Sequence, residues 1–529
     1  MLTFFVTVPI LIAVFLYLFP FKTMGRITAI FMQFLLLGGS AYLFITTRAD
    51  ELVTEIGGFG VLGITLRADS LSASFVLLTT FIFLMAAVYS YRNDKSKLFW
   101  FLFFIWQASL IGIFLSGDLF NIFVLMEVGT VVVSVLIMYS RKERNMYDGM
   151  VYLMINVVVM QFYLFGLGYV YSLTGVLDMN TAGATLSGID RANQLLPYAL
   201  IITFVALKCA LVPVFSWLPK AHGTPGASGA VSAVLSGLHI KSALYLFIRF
   251  QDMFEMVALT DLFLIIGIVT AIFGVVMSFS QSNIKLILAY STVAQVGLIV
   301  TGLSLGENYS RVGGMYHMVT HAVFKTALFM GAGAIIRVYG TKNINEIRGV
   351  WRRMPAVARA LMLSVFGIIG VPFFSGSVSK YFLGHGAGGF LSVVLAVISL
   401  GTILIFFRFC RMFFPTGVKG EGVEKEKADP WQVVPLWILG VLSLVLGLFA
   451  HQIIYMLFGI TVRVDVMGYV QKSAVFVASL LVGYVVYKYY LKDLPLLQKV
   501  KGFEFGFRGM CAMIGVFFAI VIVWGLLYN

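Results

Sequence analysis

Charge is what this 529-residue chain has least of: 11% of its residues are Asp, Glu, Lys or Arg, against 60% that are hydrophobic. So little charge excludes a water-solvated surface over most of the chain and makes the bilayer its main solvent. No Ser/Pro-rich linker divides it, so one membrane domain is expected and no soluble domain is needed. Cysteine is scarce too. Cys209, Cys410 and Cys511 lie on separate apolar runs without CxxC spacing, which argues against a disulfide framework or iron–sulfur ligation and leaves the redox compartment unread. No cofactor and no resident metal is expected. The first apolar run has no basic residues ahead of it and ends in Phe19-Pro20-Phe21-Lys22 rather than a small-residue cleavage site, so it reads as a retained helix.

What is present is a series of sixteen apolar runs, each about 18–22 residues long and able to span a membrane as a helix. They fall near 2–19, 27–47, 70–90, 97–116, 119–139, 149–173, 197–218, 228–249, 259–280, 285–305, 315–337, 357–382, 388–413, 433–457, 472–491 and 509–527. The fold expected is an all-α polytopic membrane protein. An excess of 37 Lys+Arg over 23 Asp+Glu could suggest nucleic acid, but its placement points to topology and no nucleic-acid partner is expected. Odd-numbered connections hold roughly 26 Lys/Arg and even-numbered ones roughly 7, so the odd connections are expected in the cytoplasm and both termini on the outer side of a prokaryotic inner membrane. The basic clusters Lys142–Arg144, Arg348–Arg359 and Lys488–Lys501 read as topology determinants. Lys419–Asp429 reads as a solvated loop, and the less apolar stretch 48–69, with Glu51, Glu55, Arg67 and Asp69, as an outer-face hairpin.

Two spans are interrupted. The seventh carries Lys208, then Pro213 and the polar Trp217–Pro225 stretch; the twelfth carries Gly367, Gly370, Pro372 and Ser375-Gly376 before Lys380. Backbone groups freed by such breaks are tolerated only against protein or a water-filled cavity. The lysine precedes its proline in one and follows it in the other, five spans apart. An inverted repeat produces that reversal, and it divides the chain into 1–96, a first repeat over 97–250, a second over 257–415 and a C-terminal block over 430–529.

Glu127, Lys208, Lys241, Lys325 and Lys380 are charges inside apolar runs. Each costs roughly 2.5–3.5 kcal/mol at a membrane helix centre on insertion scales, so such charges usually face an interior and mark a pathway. Glu127 is expected to pair with Lys208: at 4 Å and an effective dielectric near 20 the attraction is about 4 kcal/mol, enough for a gate that releases the lysine's proton when the carboxylate is neutralised. Lys241 is the natural recipient. His317, His321 and Lys325 recur every four residues on one stripe of the eleventh span and suit a relay between Lys241 and Lys380. His317 and His321 lack a third ligand, so a metal site is not expected. His239 faces away from Lys241 and is the weaker histidine; His222, His385 and His451 sit near span ends, as inlet or outlet groups or as plain surface.

Several motifs carry a family resemblance: GDLFNIFVLMEV around Glu127, Lys208 with Pro213 and WLPKAH, SGLHIKSALY around Lys241, NIKLILAYSTVAQVG over 283–297, HAVFK over 321–325, and GVPFFSG leading to Lys380. The chain resembles the antiporter-like subunits shared by respiratory complex I, membrane-bound hydrogenases and Mrp-type cation/proton antiporters, and is most similar to the Mrp D branch. The resemblance implies a fourteen-helix core with inverted repeats over spans 4–8 and 9–13. It also implies a hydrophilic axis through Glu127, Lys208, Lys241 and Lys380, and a channel lining that includes Tyr290, Ser291 and Thr292. The partners it implies are other membrane subunits, H+ and Na+. Two features depart from the family: two spans beyond residue 470, and Phe373-Phe374 where a second proline is common after Pro372. The function expected is proton translocation within a multisubunit antiporter. The alternatives are a redox-driven pump of the hydrogenase or complex I kind, with no redox centre on this chain, an autonomous carrier, a redox subunit binding quinone or metal, and a scaffold.

Overall fold

In lipid, every backbone N–H and C=O must find its partner within the segment, so the apolar runs have to become helices. The computed structural model describes residues 1–19, 22–58, 63–92, 96–224, 226–415, 429–491 and 501–528. Pro225, the expected loop before Asp429, and most of the basic stretch 488–501 lie outside the described residues. Helices α1 (Leu2–Leu18) and α2 (Lys22–Thr46) lead into the hairpin β1 (Leu52–Ile56) and β2 (Ile64–Ala68), antiparallel with Leu52 opposite Ala68. The hairpin falls where the sequence placed it. Arg67 pins it, meeting Glu51 at 3.0 Å and Asp178 at 3.8 Å.

Next come α3 (Ser70–Ser90), α4 (Lys97–Leu115), α5 (Leu119–Met138), α6 (Glu143–Thr174), α7 (Met179–Leu186), α8 (Arg191–Lys208), α9 (Trp217–Gly223) and α10 (Gly229–Val234). A π-helical turn, Leu235–His239, joins α10 to α11 (Ile240–Met253). The chain continues through α12 (Thr260–Ser280), α13 (Ile284–Leu303), α14 (Asn308–Tyr339), α15 (Val350–Arg353), α16 (Pro355–Ile369), α17 (Ser375–Leu383) and α18 (Gly389–Cys410). It ends in α19 (Pro430–Leu448), α20 (Ala450–Phe458), α21 (Val466–Val486) and α22 (Phe507–Tyr528). Among the described residues, 13 helices are long and apolar enough to cross a membrane. Short α1 and the interrupted pairs α8–α9 and α16–α17 complete the sixteen runs read from the sequence, and the chain is an all-α multi-pass membrane protein.

The two interior units match in detail. Asp118 caps α5 by accepting from the Asn121 amide, and Asn283 caps α13 by accepting from the Lys285 amide. Each cap lies in an isolated bridge, Asp118 with Asp178 and Asn283 with Asn343. In the first, the Leu119 amide donates to Leu177 O (2.9 Å) and the Met179 amide to Gly117 O (2.7 Å); in the second, Ile284 donates to Lys342 O (2.9 Å) and Ile344 to Ser282 O (2.8 Å). Helices α6 and α14 are each 32 residues long and end on a left-handed glycine, Gly175 or Gly340, where a side chain would strain the backbone. Within the second unit α12 and α13 cross so closely that Gly274 and Gly297 have no room for a Cβ.

The last two helices part company. Helix α21 lies on α18, whereas α22 lies on α8 and α6. Between them the stretch 501–505 is held to the bundle: Gln281 Nε2 donates to Lys501 O (3.2 Å), Lys501 Nζ to Ser282 Oγ (3.0 Å), the Phe505 amide to Ser216 Oγ (3.3 Å), and Lys220 Nζ to Phe505 O (2.6 Å).

Candidate functional site

Helix α8 stops at Lys208 because the chain then turns through Ala210 in the left-handed region (φ 56°) and a cis Val212–Pro213 peptide. The groups this frees are taken up by protein: Trp217 Nε1 donates to Leu207 O (2.6 Å) and the Val212 amide to Thr270 Oγ1 (3.0 Å). Lys208 therefore sits at a helix C-terminus, where the dipole favours a cation, and it is 3% exposed. Its Nζ donates to Thr130 Oγ1 at 2.7 Å. Glu127, one turn before Thr130 on α5, is within electrostatic reach of Lys208, but among the described residues no ion pair within 4.0 Å joins them. The expected direct pair is thus a looser arrangement, with a threonine hydroxyl taking the amine. Glu127 is only half-buried, and its neighbours Phe120, Val124, Val128 and Val131 form an exposed face of α5.

His239, the weaker histidine in the sequence, proves central in position. It ends the π-turn, which shifts its ring relative to a regular helix, and it lies beside Gly129 of α5. Trp106 Nε1 donates to its Nδ1 (3.4 Å), and its Nε2 meets the Tyr152 hydroxyl (3.2 Å). It stands between the Lys208 region and Lys241, two residues further on.

From Lys241 onward the groups form a dense line. Lys241 Nζ donates to Ser236 O (2.7 Å) and is in hydrogen-bond contact with His321 Nδ1. The other His321 nitrogen, Nε2, is buried and has no hydrogen-bond partner among the described residues. His317 is one turn away on α14, the two rings 6.2 Å apart. Its Nε2 meets Gln295 Oε1 at 2.9 Å and its Nδ1 meets Ser379 Oγ at 2.8 Å. Since Oε1 only accepts, Nε2 carries a proton. Ser379 adjoins Lys380, whose Nζ donates to Ile368 O (2.8 Å) at the frayed end of α16. Gly370 and Phe373, both left-handed (φ 89° and 71°), make that break around Pro372, so the second interruption is sharp despite lacking a second proline.

Lys325 shares the histidine stripe but bonds elsewhere, to Leu288 O (2.8 Å) and to Ser291 Oγ. Among the described residues no hydrogen bond joins it to Lys241, His321 or Lys380. Thr292 shares a 2.8 Å hydrogen bond with Ser236, while the buried Tyr290 hydroxyl has no hydrogen-bond partner among the described residues. His222 is wholly buried against Phe329, ring to ring at 4.4 Å, with neither nitrogen partnered among the described residues, so the surface reading of it is corrected. His385 faces Glu307 at 3.4 Å and His451 is exposed. Among the described residues no group of three or more His, Cys, Asp or Glu could hold a metal ion. Thr130, Gln295, Ser379 and Ser236 escape sequence reasoning because neutral hydroxyls and amides are common in membrane helices and stand out only once a charged partner is beside them.

The arrangement is a series of groups that can pass a proton without a redox centre. Residues 116–406 match the family described as NADH:quinone oxidoreductase/Mrp antiporter, TM. The N subunit of the NADH-quinone oxidoreductase of Desulforudis audaxviator is 31% identical over 420 residues, spanning 74% of this chain and 83% of that protein. The D subunit of the Na+/H+ antiporter of Alkalihalophilus pseudofirmus is 28% identical over 466 residues, spanning 85% and 94%. Chains in the solved structures of the Mrp complex from Dietzia sp. DQ12-45-1b and of a membrane-bound sulfane sulfur reductase, an archaeal respiratory membrane complex, share the fold. Each superposes with a TM-score of 0.79 at 23% identity, covering 90% of this chain and 99% of its own. With more than half of its length matched and a relative above 30% identity along most of both chains, this protein belongs to the NADH:quinone oxidoreductase/Mrp antiporter transmembrane family.

Proposed function

We propose that this chain is a proton-translocating subunit of a multisubunit membrane complex of the Mrp Na+/H+ antiporter kind, moving H+ along Glu127, Lys208, His239, Lys241, His321, His317 and Lys380. The observation that carries the reading is the run of contacts from Lys241 through His321, His317 and Ser379 to Lys380, almost wholly enclosed by apolar helices. A buried charge that merely stabilised packing would be paired off; these lysines hold hydroxyls, imidazole and backbone carbonyls, which leave them free to lose a proton. Lys325 and Tyr290, Ser291 and Thr292 line a side branch. The twin bridged units are read as an inverted repeat, five spans apart and so on opposite faces, and both termini are assigned to the outer side. A reporter fused at either terminus and found in the cytoplasm would overturn that orientation.

Replacing Lys208 or Glu127 with alanine is expected to lower proton-coupled transport at least tenfold in vesicles carrying the assembled complex, with assembly intact; wild-type transport would sink the proposal. A second reading, a redox-driven pump, draws on the 31% identity to an NADH-quinone oxidoreductase subunit. Purification of the intact complex separates the two: small antiporter subunits alone favour exchange with Na+, and flavin or iron–sulfur subunits favour the pump. An autonomous carrier fits less well, because the polar groups are strung over many helices instead of converging on one midplane pocket.

A further inference from the structure

The line of lysines is sealed until its end. Lys241 and Lys325 have no exposed surface and Lys208 has 3%, whereas Lys380 is only half-buried. Its accessible surface opens into a cavity of about 380 Å3 between α17, α18 and α21. Lys472 lines the same cavity, as do Ser377, Ser399, Ser479 and Tyr381.

Lys472 behaves unlike a surface lysine. It lies six residues into α21, about 9 Å along the helix at 1.5 Å per residue, on a helix that is almost wholly exposed along its length. A lysine so placed ordinarily snorkels outward to the headgroups. Here the stem is exposed, but the amine turns inward, donating to Tyr381 O (3.1 Å) and lying over the Tyr381 ring at 5.2 Å. A Cβ on Gly384 would come within 3.0 Å of Lys472 Nζ and 3.4 Å of Lys380 O, so the amine sits one turn from Lys380 on the same wall. Among the described residues no carboxylate lies within 4.0 Å of either amine. Two amines, each with donors to spare, and four serines, Ser392 being the fourth, give water the partners it needs. The volume has room for on the order of a dozen molecules at ~30 Å3 each.

We propose that this cavity is the aqueous outlet of the proton line, and that Lys472 is a positioning residue whose charge favours release of the Lys380 proton into it. The proposal rests on the proton-pathway reading above. On release, the Lys380 ammonium becomes a neutral amine, the proton leaves on cavity water, and the positive charge of Lys472 opposes its return. Helix α21 thereby gains a purpose: it walls and charges the chamber at the end of the path.

The test uses the full complex in vesicles, with Cys209, Cys410 and Cys511 replaced. Cysteine introduced by Ser479→Cys or Ser399→Cys is exposed to a membrane-impermeant, water-soluble methanethiosulfonate, with Val482→Cys, on the exposed surface of α21, as the control. Both cavity positions are expected to react at least tenfold faster than the control. Reaction no faster than Val482→Cys means that lipid or protein fills the space, and overturns the outlet. Separately, Lys472→Gln is expected to lower proton-coupled transport at least threefold, and Lys472→Arg to restore it. Wild-type transport in Lys472→Gln, or failure of the arginine to rescue, removes Lys472 from the mechanism. If Lys208→Ala keeps wild-type transport while Ser479→Cys still reacts quickly, the pathway reading fails and the water-filled chamber stands.

Discussion

The two halves of the buried line are built differently. Around Lys208 the contacts are few and loose: a threonine hydroxyl on the amine, a carboxylate in reach but not in contact, and Glu127 half-buried on an exposed helix face. From Lys241 to Lys380 the groups follow one another closely: Lys241 bonds His321, the His317 ring lies 6.2 Å from that of His321, and His317 bonds Ser379, the residue before Lys380. Loose contacts can be remade at small cost and suit a gate, whereas a tight network holds one geometry and suits conduction. On the proposed proton path, this difference assigns control to the first half and transmission to the second.

The largest effect should come from breaking the tight half. Lys241→Ala is expected to cut proton-coupled transport by about 100-fold or more, the scale of losing a positioned acid–base group. Lys241→Arg should not rescue, because a guanidinium does not give up its proton; dye-quench assays on vesicles read both. Glu127→Gln should cost about tenfold, the factor that roughly 1.4 kcal/mol of Coulomb energy supplies. Equal losses in Lys241→Ala and Glu127→Gln would erase the distinction between the halves. His239→Gln should cost about threefold, since it joins the halves through neighbours that can partly replace it.

Two further predictions probe the scaffolds. In the second half Gly376 faces Gly367 O with no space for a methyl group, so Gly376→Ala should destabilise by about 1–3 kcal/mol. Gly168→Ala, in open space on α6, should be near neutral; thermal unfolding in detergent compares them. The smallest effect concerns Asp69, which caps α3 and meets Arg249 at 2.5 Å. Burial pushes its carboxyl up, but the Arg249 guanidinium and the Ser72 amide outweigh that and hold it below its ordinary value of 3.8. A carboxyl lowered in the folded state stabilises above the unfolded pKa and loses its contribution as pH falls through the folded one. Asp69→Asn should therefore cost about 1 kcal/mol near neutral pH, and its deficit in thermal midpoint should shrink once the pH drops below 3.8.

The charged members of the site and both helix breaks were legible in the sequence, because a lysine or a Pro-Gly cluster inside an apolar run has few innocent explanations. The histidine stripe was legible from its spacing on one helix. What spacing along one helix cannot convey is the register between helices. Lys325 lies on the histidine stripe, but its amine bonds Ser291 on a neighbouring helix. His239 does face another side of its helix from Lys241, towards Trp106 and Tyr152; that this side meets Gly129 of α5 is the part that one helix's spacing leaves out. The hairpin and the sixteen runs needed only composition and periodicity, whereas the twin bridges at Asp118 and Asn283 share a position without sharing a residue type.

The stretch from Lys501 to Phe505 has a mechanical meaning. By holding Ser216 and Lys220 of the first unit together with Gln281 and Ser282 at the start of the second, it fastens the two halves across one face of the bundle. Carriers for bulky solutes work by swinging one half against the other; a molecule clasped in this way resists that swing. For the proposed proton path that is no handicap, because so small a cargo needs only side-chain displacements and no swing of the halves.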